Sequence, residues 1–109
     1  MYLLSILLMA TLLGCGSSGA LKMDNFVKAY SDANIGVDDG GKPLFMIIRA
    51  KDGIGLKMDD KVKIYEYASK KELDLAIKDF PMMKDWPVNG LFVLESSNDK
   101  AMEIFKSVK

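Results

Sequence analysis

A chain of 109 residues has room for one domain. Its 15 basic and 15 acidic side chains cancel, which removes the long-range attraction that binders of nucleic acid or anionic lipid use. Histidine is absent, Arg49 is the one arginine and Cys15 the one cysteine, so Ser-His-Asp and Cys-His catalysis, zinc sites and an internal disulfide are all excluded.

Met1 to Leu13 carries no charge, and every charged side chain lies after Cys15. At 13 residues this run is too short for a membrane-crossing helix, which takes about 20, and has the length of the apolar core of a signal peptide. It ends in Leu12-Leu13-Gly14-Cys15, which resembles the lipobox of bacterial lipoprotein precursors. The resemblance implies cleavage between Gly14 and Cys15 and a diacylglyceryl thioether on the Cys15 sulfur, with acyl chains such as palmitate. Each buried CH₂ contributes about 0.8 kcal/mol, so two or three chains hold a protein where one does so only marginally. Gly16-Ser17-Ser18-Gly19-Ala20 has the composition of a flexible linker. The implied organisation is a signal peptide over 1–14, a lipidated cysteine and tether over 15–21, and a single domain over 22–109. The implied address is the extracytoplasmic face of the cell membrane. Many Gram-positive surface lipoproteins share this pattern, some of them short and of prophage or mobile-element origin. The resemblance covers only the first 20 residues, and the segment departs from the pattern in opening without Lys or Arg. The alternative is a buried apolar strand or helix in which Cys15 is an ordinary core residue.

From Leu21 to Asn34, Met23, Phe26, Val27 and Tyr30 recur at helical spacing, with Asn34 and Gly36 suited to a left-handed stop. Asp38-Asp39-Gly40-Gly41 reads as a turn before Pro43. Leu44 to Ala50 (LFMIIRA) reads as a well-buried strand, broken or bulged at Asp52-Gly53 before Ile54 to Met58. Asp59-Asp60 turns the chain into the strand Lys61 to Ala68, completing an antiparallel hairpin. Ser69-Lys70-Lys71-Glu72 is a capping box, opening a helix with Leu73, Ala76, Ile77 and Phe80 inward and Pro81 as its stop. Trp86-Pro87-Val88 suits a short edge strand, Asn89-Gly90 a hairpin turn, and Leu91 to Glu95 the return strand. Ser96 to Asp99 offers caps for a last helix with Met102, Phe105 and Val108 inward. The expected fold is α+β, a four-stranded mostly antiparallel sheet with about three helices in the order α-β-β-α-β-β-α.

Few residues offer chemistry. The adjacent pairs Asp38-Asp39 and Asp59-Asp60 lack the alternating ligands and distal carboxylate of a calcium loop and read as solvated turns. Gly53-Ile54-Gly55 precedes a strand instead of opening a helix, so it reads as hairpin and not as a phosphate loop. Tyr65 and Tyr67 share a strand face, with Trp86 a potential neighbour; they form either a contact face or, as the better reading, the floor under a helix. Met82, Met83 and Trp86 form a candidate adaptable contact patch, core filling being the plainer role for methionine. The methionines are not clustered as Cu(I) binding requires, and no metal or cofactor is expected.

The sequence thus points to a non-enzymatic binding module held at the membrane by Cys15 and meeting a protein partner at the cell surface, as immunity or superinfection-exclusion lipoproteins do, with no role for nucleic acid. The rival readings are a small carboxylate-dependent hydrolase or ligand carrier, marked by a deep pocket with two carboxylates, and a structural envelope component.

Overall fold

The structure, a computed structural model, describes residues 20–58 and 61–109. The signal peptide, the Gly14-Cys15 junction and the tether as far as Gly19 lie outside the described residues, as do Asp59 and Asp60.

Strand β2 (Val62–Glu66) and strand β4 (Phe92–Glu95) form the centre of a four-stranded sheet. Strand β1 (Asp52–Leu56) flanks β2 and strand β3 (Val88–Asn89) flanks β4, giving the order β1-β2-β4-β3 with every pair antiparallel. Successive side chains of a strand point to opposite faces. Ile54, Leu56, Val62, Ile64, Phe92 and Leu94 therefore build one core, and Tyr65, Tyr67 and Val93 belong to a second on the other side.

Helices α1 (Met23–Asp32) and α3 (Asp99–Ser107) cover the first face through Phe26, Tyr30, Ala101 and Phe105. The Phe26 ring lies 4.5 Å from Phe92 and 5.1 Å from Phe105, centroid to centroid, and the buried Tyr30 hydroxyl donates to the Ala101 carbonyl at 2.6 Å. Helix α2 (Lys70–Asp79) and two 3₁₀ helices, Phe45–Ile48 and Pro81–Asp85, cover the second face with Leu73, Ala76, Ile48 and Met83. The chain order is the expected α-β-β-α-β-β-α.

Local chemistry sets the ends. Ser69 Oγ accepts from the Glu72 N–H at 3.1 Å and opens α2, which stops before Pro81. Asn98 Oδ1 accepts from the Ala101 N–H at 2.9 Å and opens α3. Asn34, at φ 65°, supplies the left-handed stop after α1. Leu21, expected in the tether, instead packs against the first core.

The hairpin turn sits one residue later than expected. Asn89 pairs with Phe92, leaving Gly90 and Leu91 as the loop, with Gly90 at φ 63° in the first central position that a type II′ turn reserves for glycine. Asn89 is then available for another task. Its amide donates to the carbonyls of Phe105 (3.1 Å) and Val108 (2.8 Å), which ties the end of α3 to the β3 edge.

One element is a correction. Leu44 to Ala50, expected as a buried strand, is the first 3₁₀ helix and its flanks, and only Ile48 and Ala50 of its apolar side chains are fully buried. The β1–β2 register explains this. Asp52 pairs with Glu66, so a continued strand would set Ala50 against Ala68 and Leu44 against Asp74, which belongs to α2. With no strand left to pair with, the segment coils over the sheet and reverses at Arg49, a non-glycine residue at φ 62°. The Arg49 guanidinium donates to Asp79 at 2.7 Å and lies over the Phe80 ring at 5.2 Å, which ties this reversal to the end of α2.

Both outer edges of the sheet are interrupted. On β1, the Gly53 N–H is taken by the Asp52 carboxylate (2.8 Å), the Gly55 carbonyl by the Asp38 N–H (2.9 Å), and the Lys57 N–H by the Gly36 carbonyl (2.8 Å). Burial pushes the Asp52 carboxyl up, but the hydrogen bonds donated by Lys42 and the Gly53 N–H, with the charges of Lys42 and Lys51, outweigh it and hold the carboxyl below its usual range. On the other edge β3 is two residues long and follows Pro87, which has no N–H to offer.

Gly53 is glycine because the 3₁₀ segment lies directly on it. A Cβ there would stand 3.1 Å from Phe45 Cβ, 3.1 Å from the Pro43 ring and 3.2 Å from the Tyr65 ring. Gly53→Ala should therefore cost about 1–3 kcal/mol, the range for overpacking. Urea unfolding should show a lower midpoint with an unchanged slope; an unchanged midpoint would refute the contact.

Candidate functional site

Between the two 3₁₀ helices the second sheet face is left partly open. The floor is Lys63 and Tyr65 of β2 and Glu95 of β4; Leu44, Ile47 and Ile48 form one wall, Met82 and Trp86 the other. The groove holds about 250 Å³ and runs into a broader, shallow hollow of about 570 Å³ that adds Lys61, Asp85, Ser96, Ser97 and Met102.

Its rims are apolar and exposed: Leu44 is 73% accessible, Ile47 65% and Met82 57%. Each wall owes this to a short helix that can bury only one side. In Phe45–Ile48, Ile48 turns into the core while Ile47 faces out; in Pro81–Asp85, Met83 turns in and Met82 out. Trp86 stays half-buried, stacked near-parallel on Tyr65 with centroids 6.0 Å apart.

The predicted contact residues separate accordingly. Met82 and Trp86 line the groove. Met83, Tyr65 and Tyr67 are core and drop out as an exposed patch, although one side of Tyr65 still forms part of the groove floor. Each buried phenol has found an acceptor, as a hydroxyl in an apolar cluster must. Tyr65 donates to Glu95 Oε1 at 2.7 Å and Tyr67 to the Ile48 carbonyl at 2.6 Å. Leu44 and Ile47 are the groove residues that sequence reasoning missed, because periodicity alone reads an unbroken apolar run as buried.

The floor charges differ in state. Glu95 is occupied by the Tyr65 hydroxyl. Lys63 is half-buried, makes no ion pair among the described residues, and stands in register between Glu95 and the side-chain-free Gly55. Asp85 and Glu95 line the shallow hollow, but nothing encloses them as a catalytic pair. Asp38 accepts from the Gly40 N–H at 2.9 Å as a turn residue, and among the described residues no cluster of Asp, Glu, His or Cys could hold a metal ion. No helix among the described residues is long and apolar enough to cross a membrane.

A scan against protein-family models and searches of curated proteins and of solved structures find no match to this chain.

Two predictions follow the division between groove and core. Met82→Ala should change stability by no more than about 0.5 kcal/mol, whereas Met83→Ala should cost about 2–5 kcal/mol. Equal effects in denaturant unfolding would contradict the placement.

The second uses the tyrosines. Burial raises all three described phenols above their ordinary value near 10; the Glu95 carboxylate adds to this at Tyr65, and Arg49 offsets part of it at Tyr67, which is pushed up to about 12. The fold favours the neutral phenols, so their contribution is whole below about pH 10 and is lost as the pH climbs toward 12. In the chain from Cys15 onward, tyrosinate absorbance should rise only together with loss of structure by circular dichroism. Ionisation near pH 10 with the fold intact would refute it.

Proposed function

We propose that this protein is a lipoprotein, tethered through Cys15 to the extracytoplasmic face of a bacterial cell membrane, and that it acts as a non-enzymatic binding module whose contact site is the groove between the two 3₁₀ helices. The address is supported by the lipobox-like Leu12-Leu13-Gly14-Cys15 and by the absence of any other cysteine. The observation that carries the binding role is the exposure of Leu44, Ile47 and Met82 around one half-buried tryptophan. Isolated apolar side chains at a surface need no explanation, but a contiguous group rimmed by polar ones marks an interaction site. Such a module would hold or occlude a protein partner, the task of immunity and superinfection-exclusion lipoproteins.

Intact-mass measurement of the membrane fraction tests the address. The expected mass lacks residues 1–14 and carries diacylglyceryl, and Cys15→Ser should abolish both changes. A full-length unmodified chain in the soluble fraction would overturn the tether. For the groove, a photo-crosslinking residue at Ile47 should give a discrete adduct in intact cells. Met82→Asp should remove that adduct at an unchanged melting temperature. An adduct indifferent to Met82→Asp would place the contact elsewhere.

A further inference from the structure

Beyond Trp86 the groove changes character. Where β2 begins and β4 ends, the hollow of about 570 Å³ is lined by eight residues, five of them polar: Lys61, Asp85, Glu95, Ser96 and Ser97. Neither Leu44 nor Ile47 lines it. An apolar occupant would cover these polar groups, at a cost for each one left without a hydrogen bond. The lining calls for a ligand that brings hydroxyls of its own.

Trp86 gives such a ligand a platform. Its N–H donates to the Met83 carbonyl at 3.1 Å, Pro87 follows it, and its ring lies within 9° of parallel to Tyr65. Tyr65 is held in turn by Glu95 at 2.7 Å. The indole is thus fixed before anything binds, which spares a ligand the cost of ordering it. The part of it that stays accessible borders both groove and hollow. An aromatic face is electron-rich and attracts weakly positive C–H groups.

The polar rim has capacity to spare. Glu95 accepts the Tyr65 hydroxyl through Oε1, which leaves Oε2. Ser96 Oγ accepts from the Asn98 N–H at 2.9 Å and keeps its own proton to donate. Lys61 and Asp85 enter no ion pair among the described residues. The charged groups of the lining are two carboxylates against one ammonium, a balance that disfavours phosphates, uronic acids and other anions.

An apolar face, a rim of hydroxyls and no charge together describe a neutral sugar. In a glucose-configured β-pyranose every ring C–H is axial, so both faces are apolar and the hydroxyls lie around the equator. We propose that the hollow is a saccharide site for a neutral, glucose-configured pyranose, its C–H face on Trp86 and its hydroxyls bonded to Asp85, Glu95, Ser96 and Ser97. The site depends on neither the tether nor a protein partner in the groove.

Trp86 is the chain's one tryptophan, so its emission reads the hollow directly. Cellotriose and chitotriose, both linear β-linked trimers, are titrated into the full chain in a detergent without a sugar headgroup. At least one should change the emission saturably; no saturable change with either would overturn the proposal. Asp85 is exposed, so Asp85→Ala should keep the fold and weaken binding at least about tenfold, the loss of one hydrogen bond to a charged group. Ile47→Asp, on the groove wall, should leave binding unchanged. The reverse order of effects would seat the sugar in the groove, and indifference to both would reduce the emission change to unspecific stacking. Either result would overturn the assignment.

Discussion

The Tyr67 hydroxyl is buried in an apolar cluster, and the Ile48 carbonyl 2.6 Å away answers its need for an acceptor. Much of the second face follows from that bond. Loss of a partner for a buried hydroxyl costs about 1–3 kcal/mol, so the chain before β1 is held down on the sheet at Ile48. Once Ile48 is fixed inward, a single 3₁₀ turn leaves Leu44, Met46 and Ile47 outward, and Arg49 must adopt its left-handed backbone to deliver Ala50 and Lys51 to the strand. The groove wall is the outer side of a segment whose inner side satisfies a core tyrosine.

The two sheet faces solve the same problem with different means. On the first, two helices bring three phenylalanine rings into contact and enclose the face. On the second, one ten-residue helix covers the upper part and two short 3₁₀ turns cover the rest. A 3₁₀ turn of four or five residues has one narrow inward side to give, here Ile48 with the partly buried Phe45, and Met83. The opening between the turns is what their combined coverage leaves.

Much of this was legible in the residues, where the signal was local. The Ser69 cap, the Pro81 stop, the Pro87 edge and the left-handed Asn34 each act within a few residues, and each stands as expected. Leu44 to Ala50 was not legible, because its fate depends on a register set by β1 and β2 and on the length of β2, neither of which its own composition contains. Gly53 is similar: it fits a strand as sequence, but its necessity comes from Pro43 and Phe45 lying on top of it. The groove was half visible. Met82-Met83 had to divide between inside and outside, as neighbours on one short turn do, yet the opposite wall came from residues that read as core.

The interrupted sheet edges have a meaning at the population level. Molecules confined to a surface, as the proposed tether would confine these, meet one another far more often than in free solution. An open strand in such a crowd is a template on which the next copy adds, and the next, until the layer becomes a filament. Here the Asp52 carboxylate occupies an N–H that a newcomer would need, and the opposite border is two residues long behind a proline. A neighbouring copy finds little open strand on either border to extend.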